Sequence, residues 1–285
     1  MITRFDHAVI ATRDLAAGMR AFAALGFTVA RGGRHPGHGT ENAIIRFGLD
    51  YLELLAVANE REATAEGLNG QALLTYLSAH PGGLAGFALA SDDIAADAAR
   101  LRAFGVVVEG PFGMSRERPD GSSFAWQLAI PGGTPWRRPW PFLIAWETPD
   151  AERLAHERPA AQPNGIRGVS GVRMAVRDLD AAVALYQQGL GLTLIERRDR
   201  PGAAAEGAVF AMGQTHIELL APRDAGSVAQ ALAVEGEGPF SVSLATADLE
   251  ATRRTLGAAA SPLASALDIM PAAAMGARLT VHAIP

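Results

Sequence analysis

Cysteine is absent from the 285-residue chain. That excludes disulfides, iron–sulfur clusters, thiolate zinc sites and a cysteine nucleophile. Lysine is absent as well, all 25 basic residues being arginine, which removes Schiff-base chemistry and a lysine-bearing phosphate loop. Charged residues are few, 19% of the chain, against roughly 25% in an average soluble protein. With 49% hydrophobic residues the chain is not disordered as a whole. The formal net charge is −5 and no basic tract occurs, so nucleic acid is not an expected partner. No apolar run reaches the roughly 18 residues that span a bilayer, and no membrane association is expected. The opening Met1-Ile2-Thr3-Arg4-Phe5-Asp6-His7 has no apolar segment of a secretory signal. Both features lead us to expect a soluble, cytoplasmic protein. Neither a Gly-x-Ser-x-Gly elbow nor a dinucleotide fingerprint occurs, so serine-nucleophile and nicotinamide chemistry have no support.

What is present is an internal repeat. FDHAVIATRDL (5–15) and VSGVRMAVRDL (169–179) are apolar strand-like runs ending in Arg-Asp-Leu. Each leads into an alanine-rich amphipathic stretch, with Asp14 and Asp178 placed as N-caps and Gly26 and Gly191 as stops. YLELLAV (51–57) matches HIELLAP (216–222); Asp14 to Glu53 spans 39 residues and Asp178 to Glu218 spans 40. Fainter copies of the opening unit occupy 86–105 and 240–257. Each copy reads strand–helix–strand–strand–strand, which predicts an α+β protein of four βαβββ modules. The modules pair into two domains, 1–150 (modules 1–60 and 80–150) and 166–285, joined by a Pro- and charge-rich linker at 151–165. GPFGMSRERPDG (110–121) and PGGTPWRRPWP (131–141) read as long loops.

This organisation resembles the vicinal oxygen chelate superfamily, which includes glyoxalase I, extradiol dioxygenases, methylmalonyl-CoA epimerase and the bleomycin-resistance proteins. The first half resembles the glyoxalase-like domain family in Asp6-His7, GGRHPGHGTEN (32–42), YLELLAV and PWPFLIAWE (139–147). The resemblance implies that paired modules curl into half-open barrels around a divalent metal such as Zn, Ni, Mn or Fe. The positions that would carry its ligands are His7, Glu53, Gly86 and about Ile144 in the first half. In the second they are Gly171, Glu218, Ser241 and a residue near Val281 or His282. Neither half keeps a full set. The second half is the more degenerate.

On their own chemistry, His7 stands in an apolar strand beside Phe5, Val9 and Ala11, and Glu53 shares a face with Tyr51, Leu55 and Val57. A buried carboxylate must be paired, protonated or bound to a cation. His7 and Glu53 are therefore either two metal ligands, with His35 or His38 as a third, or partners in a hydrogen bond inside a cavity. As catalytic groups they would serve as ligand and as ligand or base. His35, Thr40 and Asn42, in the glycine-rich loop 32–42, either orient a ligand or satisfy a tight turn. All four tryptophans fall between Trp126 and Trp146. Trp126 and Trp146 sit in strand-like runs and wall a pocket or fill the core; Trp136 and Trp140 suit its rim. Arg137 and Arg138 either grip a carboxylate or are solvated. His216 and Glu218 share one face and form a small polar group. Two functions stay open. One is a metal-assisted lyase or isomerase, or a ring-cleaving oxygenase, acting on a small oxygen-bearing molecule. The other is a protein that sequesters such a molecule without catalysis. Exposed strand edges on half-open barrels favour a homodimer.

Overall fold

The computed structural model describes residues 1–284. The chain runs through four copies of one unit. The first is β1 (Ile2–Thr12), α1 (Leu15–Ala24), β2 (Ala30–His35), β3 (Thr40–Arg46) and β4 (Tyr51–Val57). Two short helices follow, α2 (Glu60–Glu66) and α3 (Leu68–Ala79). The second unit is β5 (Gly82–Ser91), α4 (Ile94–Ala103), β6 (Val108–Glu117), β7 (Ser123–Pro131) and β8 (Phe142–Trp146). After α5 (Asp150–His156) comes the third: β9 (Ile166–Ala175), α6 (Leu179–Ala184), β10 (Leu194–Arg200), β11 (Ala205–Met212) and β12 (Thr215–Pro222). Helix α7 (Ser227–Glu235) leads to the fourth: β13 (Gly238–Thr246), α8 (Leu249–Leu256), β14 (Ala260–Leu263), β15 (Ala266–Ile269) and β16 (Leu279–Ala283).

One capping device starts the helix of every unit. The carboxylates of Asp14, Asp93, Asp178 and Asp248 accept from the backbone N–H three residues on, at 3.0, 3.0, 2.9 and 2.9 Å. Each satisfies one orphan donor of the first turn and stabilises its helix by about 1 kcal/mol.

In every unit the first strand pairs parallel with the last and antiparallel with the first strand of its partner unit. Strands β1 to β8 close into a barrel ordered β1-β4-β3-β2-β6-β7-β8-β5, while β9 to β16 form an eight-stranded sheet that stays open. The first barrel closes between β2 and β6 through one registered pair, Arg34 with Glu117. Period-2 alternation sorts the side chains. Along β4, Leu52, Leu54 and Ala56 face outward into a core shared with α1, α4, α6 and α8, whereas Leu55 points into the barrel. The outer core contains residues of both sheets, among them Phe22, Leu101, Val172 and Tyr186. The chain between the sheets is packed: Arg153, Gln162 and Asn164 are buried, and Asn164 Nδ2 donates to the carbonyl of Leu25 at 2.9 Å. Among the described residues no helix is long and apolar enough to cross a membrane.

Two expectations about loops are corrected. Residues 108–117 form strand β6, not a loop. Gly110, Pro111 and Gly113 read as breakers, but Gly110 and Pro111 fall at an irregularity in the β6–β7 pairing, where proline and glycine are tolerated, and Gly113 pairs in register with Gln127. Most of 32–42 is likewise strand, with only 36–39 turning. Gly39, at φ +64°, lies against the backbone of Asn59 and Ala63, where a Cβ would not fit.

Candidate functional site

The barrel holds a cavity that opens to solvent. Its wall is apolar: Leu55, Phe112, Met114, Trp126, Leu128, Trp136, Phe142, Ile144 and Trp146, with Leu73 of α3 across the top. One corner is polar and holds His7, His35, Thr40, Asn42 and Glu53. The residues singled out in the sequence, these five with Trp126 and Trp146, thus share one cavity.

A β-bulge builds the corner. Phe5 pairs with Leu89 and His7 with Ala88, so Asp6 is the extra residue. The bulge shifts the alternation, and Phe5 turns outward into the shared core instead of standing beside His7. Asp6 is fully buried. Its Oδ1 lies 2.8 Å from His7 Nδ1, and its Oδ2 takes Trp146 Nε1 at 3.0 Å and Arg4 Nη1 at 2.7 Å. The far nitrogen of His7, Nε2, lies 3.3 Å from Glu53 Oε2. The imidazole stacks on Tyr51, its register partner on β4, with ring centroids 4.6 Å apart. Glu53 Oε1 accepts from Asn42 Nδ2 at 2.6 Å. His35 Nδ1 meets Thr40 Oγ1 at 2.8 Å, and its ring stands edge-on to Trp126.

Burial opposes a charge on His7, but its bonds to Asp6 and Glu53 outweigh that cost and raise its pKa. Burial would raise Glu53, but His7 holds it down to about 2. Asp6 is held well below the usual carboxylate range, burial being overcome by His7 and Arg4. His35 has no such anchor, and burial takes it down to about 4. At neutral pH the corner thus holds two ionised carboxylates, a His7 imidazole that keeps its second proton more tightly than a free one, and a neutral His35 beside them.

A divalent metal of the superfamily kind would need further donors. Gly86 stands on β5 with the carbonyl of Pro135 only 2.7 Å from where its Cβ would be. Ile144 is a buried apolar residue of the cavity wall. Among the described residues no three His, Cys, Asp or Glu side chains converge so as to hold a metal ion. His38, weighed as a third ligand, pairs with Glu66 at 2.6 Å. The residues present do not fit a four-ligand metal.

Several side chains of the site had no sequence signal. Asp6 was visible only as a neighbour of His7. Helices α2 and α3 lie outside the four-module pattern, although QALLTYL carries a helical apolar pattern. Arg116, buried on β6, lines the cavity from a stretch read as loop. Arg137 proves neither solvated nor part of this site: it pairs with Glu235 at 3.1 Å and donates to the carbonyl of Pro239. Arg138 donates to the carbonyl of Gly132 at 3.0 Å.

Two half-shells of paired βαβββ units, one closed around a cavity, define a protein of the vicinal oxygen chelate superfamily. The profile of the glyoxalase-like domain family matches residues 5–177, and that of the glyoxalase/bleomycin resistance protein/dioxygenase superfamily matches residues 172–276. The chain belongs to the glyoxalase-like domain family. Among solved structures it is similar to a hypothetical protein from Staphylococcus aureus, at 18% identity, TM-score 0.71, over 98% of this chain and 99% of that one. It is also similar to a mutant of 4-hydroxymandelate synthase from Streptomyces coelicolor, at 15% identity and TM-score 0.62, over 98% and 92%. A xylose isomerase-like TIM barrel/4-hydroxyphenylpyruvate dioxygenase fusion protein matches at 18% identity and TM-score 0.54, over 90% of this chain and 38% of that one. These likenesses show the shared fold alone. Among curated proteins none matches the chain.

Proposed function

We propose that the first barrel binds a small, mainly aromatic molecule carrying a hydroxyl group, and holds it without chemical change. The observation that carries this reading is the make-up of the cavity: an aromatic wall with one ionised corner. Trp126 and Trp146 supply flat apolar surface for a ring. Glu53, whose carboxylate already takes Asn42 and His7, keeps lone pairs for a ligand O–H. Thr40 and Asn42 fix the geometry around it, and neutral His35 adds a further polar contact.

A lyase or isomerase reading would need Glu53 as base or metal ligand, with His7. A general base works best with a pKa near the working pH, and a carboxylate held at about 2 is a weak one. The donor set also falls short of a metal. Both points favour binding over turnover.

Tryptophan fluorescence titrations of the purified protein with substituted phenols and other hydroxylated aromatics test this. Saturable quenching is expected, weakened at least tenfold in Glu53→Gln. Absence of saturable binding across the panel would overturn the reading. Conversion of a bound compound, followed by mass spectrometry with Zn, Ni, Mn or Fe(II) supplied, would move it to the enzyme class.

A further inference from the structure

The open sheet carries a second polar group with chemistry opposite to the first. Glu218, Arg173 and Ser241 stand side by side on β12, β9 and β13, being register partners in turn. Arg198 and Arg200 reach the same carboxylate from β10, across β11, where Gly207 leaves room for it. All three guanidinia bond Glu218 through Nε, at 3.1 Å from Arg173, 3.3 Å from Arg198 and 2.6 Å from Arg200. Glu218 is fully buried, while the three arginine side chains are 23–36% exposed. The carboxylate thus works as an anchor that turns the outer ends of the guanidinia away from itself.

Among the described residues the ends of Arg173 and Arg200 are not used. The terminal amino groups of Arg173 and Arg200 make no hydrogen bond among the described residues; one of Arg198 pairs with Glu196 at 2.6 Å. Three positive charges against two negative ones leave an excess of one. His216 covers Gly171, its Nε2 2.5 Å from where a Cβ would stand. Ser241, 2% exposed, has a hydroxyl oxygen with no partner. A purely structural ion network would consume its donors; this one leaves paired N–H groups and a buried hydroxyl facing the same side of the sheet.

We propose that the face of the second sheet above Glu218 is a binding site for an oxyanion, a phosphate or carboxylate group on a small molecule, held by Arg173 and Arg200. Planar guanidinium ends match either group bidentately. The site is independent of the first barrel and of the ligand assigned to it.

Isothermal titration calorimetry of the full chain with phosphate, pyrophosphate, succinate and citrate, at ionic strength matched with KCl, tests the proposal. Saturable binding is expected, at least tenfold weaker in Arg200→Gln and in Arg173→Gln, and weaker at higher KCl. Binding confined to the phosphates or to the carboxylates identifies which group the site takes. Should the variants lose their far-UV circular dichroism, the wild-type protein still decides: the imidazole resonances of His216 and His282 must shift with the anion, while those of His7 and His35 stay in place. Absence of saturable binding, undiminished binding in both folded variants, or unmoved His216 and His282 signals would overturn it.

Discussion

The indole N–H of Trp146 donates to Asp6 at 3.0 Å, tying β8 to the bulge on β1. The same carboxylate holds His7 and Arg4. Asp6→Ala therefore leaves three donors without their acceptor, two of them on charged side chains. Removing one partner of a buried pair typically costs about 3–5 kcal/mol, and a loss of about 3 kcal/mol in urea unfolding is expected. A loss under about 1 kcal/mol would show that these bonds do not matter to the barrel.

His7 is expected to hold its second proton to higher pH than a free imidazole does. Its folded pKa is raised above the ordinary 6.5, so its stabilisation is complete below pH 6.5 and is lost as pH rises through the folded value. Glu53→Gln removes one of the two carboxylates responsible, and the imidazole should titrate at lower pH. Nitrogen-15 spectra of the ring measure this directly. An unchanged titration would separate His7 from Glu53.

Acid should destabilise the protein in two stages. His35 falls from 6.5 to about 4 on folding, so the unfolded chain binds the extra proton and stability drops as pH falls across that window. Glu53 falls from 4.5 to about 2 and continues the loss below pH 4.5. Each contributes on the order of 3 kcal/mol at about 1.4 kcal/mol per pKa unit. Urea midpoints in His35→Gln should lose the slope between pH 6.5 and 4 and keep the lower stage. Parallel curves for the two proteins would contradict this assignment.

Gly86→Ala probes the strand position opposite the polar corner. The added methyl would meet the Pro135 carbonyl at 2.7 Å and Phe142 at 3.7 Å. Overpacking of this kind costs about 1–3 kcal/mol, and thermal unfolding should register it. An unchanged midpoint would mean that the 131–141 loop moves aside without cost.

The repeat made most of the fold legible. Asp14, Asp93, Asp178 and Asp248 stand at equivalent points of four copies, and each caps a helix. YLELLAV alternates as a strand should, so the inward direction of Glu53 followed from its neighbours. The inward role of Asp6 was hidden because a bulge changes the period by one residue, which no pattern of apolar positions reveals. Strand β6 was hidden because Gly110, Pro111 and Gly113 have poor strand propensity, and pairing with β7 overrides propensity. The guanidinium cluster of the second sheet was only half visible: His216 and Glu218 are two residues apart, whereas Arg173, Arg198 and Arg200 come from other strands.

Glu157 lies beyond the last strand of the first barrel, yet its carboxylate sits between Arg46 of β3, at 2.5 Å, and Arg116 of β6. These strands flank the seam where β2 and β6 share a single registered pair. The hoop is thus bridged beside that seam by a residue the ribosome adds only after all eight staves are made. A chain ending at residue 150 would carry two buried cations with no counter-ion, and its staves would be free to part at that seam. The cavity is in this sense a property of the longer polypeptide and not of the eight strands alone.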